Sequence, residues 1–211
     1  MGNLSFKALS IPGACLISPF YVEDNRGSFL KPFIREEFEA QGIPFCCDEE
    51  FFSHSERNVI RGMHFQTFHP QAKLVQILAG KVFDVIVDLR ADSPTFGKWE
   101  GVYLSAQNHL SLYIPKGCAH GFLALEADNL MSYKCAGAYD RETDTGILYN
   151  DPDIRIEWPI KDIKDAVVGK DGRGPDDFFK HIISVWLYAS LFRQVIKAFF
   201  MFSSGSAPHP V

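Results

Sequence analysis

The sequence predicts an all-β protein, a sandwich or barrel of short strands followed by a helical tail. Short runs rich in β-branched and aromatic residues recur along the chain, and Asn, Asp, Gly or Pro separates each from the next. Helical composition is confined to one brief stretch before the tail, so the helix-for-strand alternation of a doubly wound sheet is missing. At 211 residues with 46% apolar side chains and 19 phenylalanines, the chain has the means to fill one core.

Taken in order, residues 14–20 form an apolar run, Asp24-Asn25-Arg26-Gly27 marks a turn, and residues 28–34 read as a second strand. Residues 35–41 have helical composition with their acids early, and Gly42 is placed to stop the helix. Strands are expected over 45–53, 95–104, 111–115, 121–126 and 130–139, each bounded by turn residues. Residues 151–177 are polar, weakly periodic and contain Pro and Gly, which suggests a segment wrapped over the barrel. Residues 178–202 are apolar on most faces and of helix length, but Lys180, Arg193 and Lys197 interrupt the clean run a membrane span needs. That tail is expected to dock its apolar side on protein or on a membrane surface. The expected organisation is therefore one domain over 1–177 and a helical tail over 178–211.

The net charge of -5 and the absence of a Lys/Arg run remove the electrostatic attraction on which nucleic-acid binding depends. Five cysteines, without CxxC spacing and with no signal peptide before them, point to a reducing, cytoplasmic setting without disulfides or a thiolate zinc site.

The organising stretch is 59–89, where two strand-like runs meet at Ala79-Gly80-Lys81 and read as a hairpin. It carries Arg61, His64 and Lys73, expected on consecutive strands of one antiparallel sheet. A histidine on an apolar strand next to a cation is either a satisfied core residue or a proton-transfer group. His120, in Pro115-Lys116-Gly117-Cys118-Ala119-His120-Gly121, supplies a second imidazole in a PxGxxH pattern like that of the second cupin motif. A metal-binding cupin would show an HxH pair and a glutamate after it; here Gln66 stands two residues beyond His64. No metal and no cofactor is therefore expected.

Taken together, these residues resemble the dTDP-4-dehydrorhamnose 3,5-epimerases, metal-independent cupins acting on nucleotide-linked 4-keto-6-deoxy sugars. The similarity is carried by Asp24-Asn25-Arg26-Gly27-Ser28-Phe29, Arg61-Gly62-Met63-His64-Phe65-Gln66, Ala72-Lys73-Leu74-Val75, Ser93-Pro94-Thr95-Phe96-Gly97, Tyr133-Lys134-Cys135 and Asn150-Asp151-Pro152, in order along the chain. The resemblance implies a cupin, or double-stranded β-helix (jelly-roll), barrel. It implies His64 as general base, Asp171 as the carboxylate orienting it, and Tyr133 as general acid. Lys73 and His120 fall where the family holds the sugar and its enolate, Arg61 and Arg26 where it holds the diphosphate, and Tyr139 and Phe29 where aromatics meet the nucleotide. Lys170, beside Asp171, joins the expected substrate contacts. A homodimer is implied, because the strand bearing Arg26 and Phe29 completes a site across a subunit interface. Three departures stand out: Glu49-Glu50-Phe51 replaces a Gln-x-Asn pattern, Lys31 replaces a glutamate, and Val168-Gly169 replaces a Ser-Glu pair before Lys170-Asp171. A single-centre epimerase and a non-catalytic nucleotide-sugar-binding cupin are the alternatives to epimerisation at C3 and C5.

Overall fold

The computed structural model describes residues 3–168. Lys170, Asp171 and the expected tail helix lie outside the described residues. Within them the chain begins with β1 (Ser5–Ala8), β2 (Cys15–Ser18), β3 (Phe20–Asp24), β4 (Gly27–Lys31) and the helix α1 (Arg35–Ala40). It continues through β5 (Glu49–Ser55), β6 (Val59–Gln66), β7 (Ala72–Ala79), β8 (Lys81–Asp88) and β9 (Trp99–Ser105). It ends with β10 (Ser111–Ile114), β11 (Cys118–Ala124), β12 (Asn129–Ala136), β13 (Asp144–Gly146) and β14 (Val167–Val168). No helix among the described residues is long and apolar enough to cross a membrane.

The strands form the jelly-roll barrel that the sequence led us to expect, as two facing sheets. The first runs β1-β2-β10-β7-β12-β5 and the second β13-β6-β11-β8-β9, while β3 and β4 pair only with each other. The inner faces supply one core: Val75, Ile77, Leu112 and Met131 from the first sheet meet Val82, Ile86, Leu104 and Phe122 from the second. A fully buried side chain of this kind contributes roughly 1.5–3 kcal/mol. A second cluster lies on the outer side of the first sheet, where Phe38 of α1 and Phe45 cover Leu74, Tyr113 and Ile17. The helix stops at Gly42, whose φ of 73° suits glycine, with the Gly42 and Ile43 amides donating to the Glu39 and Phe38 carbonyls.

The stretch 59–89 folds differently from expectation. β7 and β8 are joined through Gly80 but do not pair: β7 lies between β10 and β12, and β8 between β11 and β9. Gly80 is thus a corner between sheets, fixed by the Lys81 amide donating to Asn129 Oδ1 at 2.7 Å and the Ala106 amide donating to the Gly80 carbonyl at 3.0 Å. The reason is burial: seven of the eight residues of β8 are buried, so both of its faces must be covered, which a two-stranded hairpin cannot do. As a result His64 on β6 and Lys73 on β7 belong to opposite sheets. The strand expected from residue 121 begins at Cys118, which puts His120 inside β11. Residues 151–168 do wrap the barrel. Asp151 accepts from the Asp153 and Ile154 amides, Trp158 Nε1 donates to the Tyr149 carbonyl at 2.7 Å, and β14 adds in parallel to β6.

Candidate active site

Between the two sheets a cavity of about 710 Å³ opens, lined by Arg61, His64, Lys73, His120, Tyr133 and Tyr139 among others. Glycines bring its second-sheet wall together. A Cβ on Gly62 would fall 2.4 Å from the Gly121 Cα, and one on Gly146 would fall 2.5 Å from the Met63 carbonyl oxygen. With the strands this close, His64 and His120 stand directly opposite each other in the β6–β11 register.

His120 Nε2 is hydrogen-bonded to Asp84, 3.0 Å from each carboxylate oxygen, and both side chains are buried. Burial pushes the Asp84 carboxyl up from its ordinary range, while His120 and Lys73 pull it back. Sequence reasoning gave Asp84 no role. The available signal was an acid in the middle of the apolar run Val82-Phe83-Asp84-Val85-Ile86, since a buried carboxylate needs a partner. The same strand carries a second buried acid that acts elsewhere. Asp88 receives Arg90, Ser93 and Thr95 and braces the loop before β9.

His64 lines the cavity and is exposed toward it. Burial holds its pKa below the ordinary imidazole value; the charges of Lys73, His120 and Arg61 act the same way, and Asp144 opposes them. The imidazole is therefore neutral, and able to accept a proton, at neutral pH. Asp171, expected to orient it, lies outside the described residues; Asp144 on β13 is the described carboxylate that acts on His64.

Across the cavity stand the groups of the first sheet. Tyr133 is almost fully enclosed: Phe51 stacks on it at 4.6 Å with 14° between the planes, His120 meets it edge-on at 5.9 Å, and its hydroxyl lies 3.3 Å from Ser53 Oγ. Burial raises the phenol pKa, which keeps the proton on the oxygen. Lys73, opposite Cys135 on β12, has its pKa lowered by burial. Among the described residues its ammonium makes no hydrogen bond or ion pair. An ammonium inside a cavity without an acceptor is costly, so its position fits a ligand oxygen. Arg61 is anchored by Ser55 Oγ and the His54 carbonyl, both at 2.9 Å. Tyr139 flanks the mouth, its hydroxyl donating to Asp144 at 3.2 Å and its amide to Glu49 Oε1.

Gln66 is committed elsewhere. Its amide donates to the His69 and Ala138 carbonyls and its oxygen accepts from the Asp140 amide, so it ties β6 to the segment before β13. Among the described residues His54, Glu56 and Asp128 form a grouping of metal-type donors, but these are exposed and do not line the cavity. Arg26 and Phe29 are not brought to this cavity. They sit on the β3–β4 hairpin, with the Arg26 side chain 85% exposed and paired to Asp24, and Phe29 exposed edge-on to Phe20.

Comparison with known proteins gives a consistent picture. The family model described as dTDP-4-dehydrorhamnose 3,5-epimerase matches residues 8–176. The dTDP-4-dehydrorhamnose 3,5-epimerase of Methanothermobacter thermautotrophicus is 42% identical over 173 residues, covering 82% of this chain and 94% of that one. A crystal structure of dTDP-4-dehydrorhamnose 3,5-epimerase from Elizabethkingia anophelis superposes with a TM-score of 0.80 at 36% identity, over 85% of this chain and 98% of the other. The structure of dTDP-6-deoxy-D-glucose-3,5-epimerase from Legionella pneumophila, in complex with dTDP-4-keto-L-rhamnose, superposes with a TM-score of 0.76 at 39% identity, over 80% of this chain and 89% of that one.

Proposed function

The chain belongs to the dTDP-4-dehydrorhamnose 3,5-epimerase family, and from that premise we propose that it is an isomerase inverting C3 and C5 of a dTDP-linked 4-keto-6-deoxy sugar, with His64 as base and Tyr133 as acid. The observation that carries this reading is the placement of His64 and Tyr133 on facing sheets of one cavity. A ketone at C4 acidifies the hydrogens on C3 and C5, because the charge left by deprotonation moves onto the C4 oxygen. Inversion then needs a base on one face of the sugar ring and an acid on the other. Neutral His64 accepts the proton, and protonated Tyr133 delivers one from the opposite wall. Lys73 is aimed to hold the developing enolate oxygen, a role in which one donor contributes on the order of 3 kcal/mol in comparable enzymes. His120, fixed by Asp84, is the second donor. Arg61 supplies a fixed positive charge for a diphosphate.

At each centre one proton leaves and one returns, so the chemistry is redox-neutral and uses no cofactor. Asp171 and Lys170 belong to the proposed set as orienting carboxylate and substrate contact. Homodimerisation is part of the same proposal. The β3–β4 hairpin leaves Val22 and Phe29 exposed beside Arg26, which suits a strand pair that completes a neighbouring subunit's site. Sedimentation showing a fully active monomer at micromolar concentration would sink the dimer. The five unpaired cysteines support a reducing, cytoplasmic setting.

The test is incubation in deuterated water with a panel of dTDP-, CDP- and GDP-linked 4-keto-6-deoxy sugars, read by proton NMR and mass spectrometry. The expected result is deuterium at C3 and C5 together with the doubly inverted dTDP sugar. Deuterium at one centre identifies a single-centre epimerase. Tight binding with no exchange on any member identifies a binding protein.

A further inference from the structure

The wall that carries Tyr133 contains a group the proposed reaction has not used. Phe51 lies on β5, the edge strand of the first sheet, directly opposite Tyr133 in the β5–β12 register. Its ring lies face to face with the phenol, lines the cavity and remains 43% exposed. An aromatic left that open on an edge strand gains less from burial than a core ring does, so its position needs another account.

We propose that Phe51 is a positioning residue for the proton-return step: stacked on Tyr133, it fixes the plane of the phenol so that the hydroxyl points at the reacting carbon across from His64. Three contacts define that plane. Phe51 covers one face of the ring, the His120 ring meets it edge-on, and Ser53, two residues along the same strand as Phe51, holds the hydroxyl oxygen. His120 is itself pinned by Asp84, so the edge contact is rigid. The Ser53 contact is a single 3.3 Å hydrogen bond about which the ring can still turn. Phe51 closes the remaining freedom. Without it the open face of the phenol admits water and the ring can turn about the Ser53 hydrogen bond, carrying the hydroxyl off line.

This inference rests on the proposed epimerase chemistry, in which an enolate has two fates. Return of a proton by His64 on the original face gives exchange without inversion, whereas delivery by Tyr133 on the opposite face gives inversion. A residue that only positions Tyr133 therefore changes the ratio of inverted product to deuterium incorporated. A residue that only supports the fold, or only binds substrate, changes rate or KM and leaves the ratio alone.

The experiment measures that ratio by proton NMR in deuterated water with dTDP-4-keto-6-deoxyglucose, for the wild type, Phe51→Ala and Phe51→Tyr. The expected result is a ratio about two- to tenfold lower in Phe51→Ala, the span that corresponds to loss of one aromatic pair, and a ratio restored in Phe51→Tyr. An unchanged ratio in Phe51→Ala overturns the proposal, and so does an equal fall in both variants, because the stacked ring is then not the cause. Should Phe51→Ala fail to fold, as judged by its thermal unfolding, Phe51→Leu keeps the apolar volume without the flat face. The ratio must then fall in Phe51→Leu for the proposal to stand. Absence of exchange in the wild type is a separate outcome: it overturns the epimerase reading itself, and the role of Phe51 with it.

Discussion

The two walls of the cavity are built from different chemistry. The second sheet presents imidazoles: His64 and His120 face each other across β6 and β11, with Asp84 behind His120. The first sheet presents an ammonium and a phenol: Lys73 and Tyr133 on the neighbouring strands β7 and β12, with Phe51 beyond them on β5. Burial acts on both walls with different results. It lowers the pKa of His64 and so leaves a base ready to accept; it raises that of Tyr133 and so leaves an acid that keeps its proton. The same desolvation, applied to a cationic acid on one side and a neutral acid on the other, moves the two pKa values apart. The lesson is that the proposed division of roles matches the division of the residues between the sheets.

The largest expected effect tests that division directly. His64→Ala removes the acceptor wall's base, and deuterium incorporation is expected to fall by about 10²- to 10⁴-fold. Tyr133→Phe leaves the base in place, so exchange persists while inverted product falls. Solvent deuterium and product stereochemistry, followed together by NMR, separate the two. If both variants lose exchange to the same extent, the two walls do not divide the work and Tyr133 takes part in proton removal. If His64→Ala exchanges at near wild-type rate, the base is elsewhere and the cavity is better read as a binding site.

Much of this arrangement was legible in the chain. The strands declare themselves because alternating and β-branched runs between turn residues leave little choice of local conformation, and Arg35–Ala40 followed by Gly42 reads correctly as helix and stop. The sheet to which each strand belongs was not legible. Ala72–Ala79, Gly80 and Lys81–Asp88 have the local form of a hairpin, and only the buried partners on both sides of β8 make the junction a corner. That one misplacement changes the site: the sequence puts His64 and Lys73 on neighbouring strands, whereas the fold sets Lys73 beside Tyr133 and opposite His64. Asp84 was given no role from the sequence, and its partner was not legible there, because the β8–β11 register depends on contacts 36 residues apart. Phe51 was visible as a departure from the family pattern, and its meaning appears only once β5 lies against β12. The hairpin with Arg26 and Phe29 follows the turn signal in the sequence, and among the described residues its two strands pair only with each other.

The smallest expected effect is a displacement of a pH profile, and it sharpens the comparison most. His64 must be neutral to act as a base, and burial together with the positive charges of Lys73 and Arg61 disfavours its protonated form. Activity should therefore survive acidification further than a free imidazole would allow, with the acid limb of kcat/KM below the ordinary histidine value of about 6.5. The sign can be checked from both sides. Lys73→Met removes a neighbouring positive charge, which makes protonation of His64 easier, raises its pKa and moves the limb toward higher pH in whatever activity the variant retains. Asp144→Asn removes the carboxylate that favours the protonated imidazole, lowers the pKa further and moves the limb toward lower pH. Lys73 belongs to the donor wall and Asp144 to the strand beside the acceptor, so opposite displacements would show that the charge of each wall sets the proton affinity of the base between them. A wild-type limb above pH 6.5 would mean that the proposed Asp171 partner outweighs these effects, and displacements in the same direction would mean that a group other than His64 governs the profile.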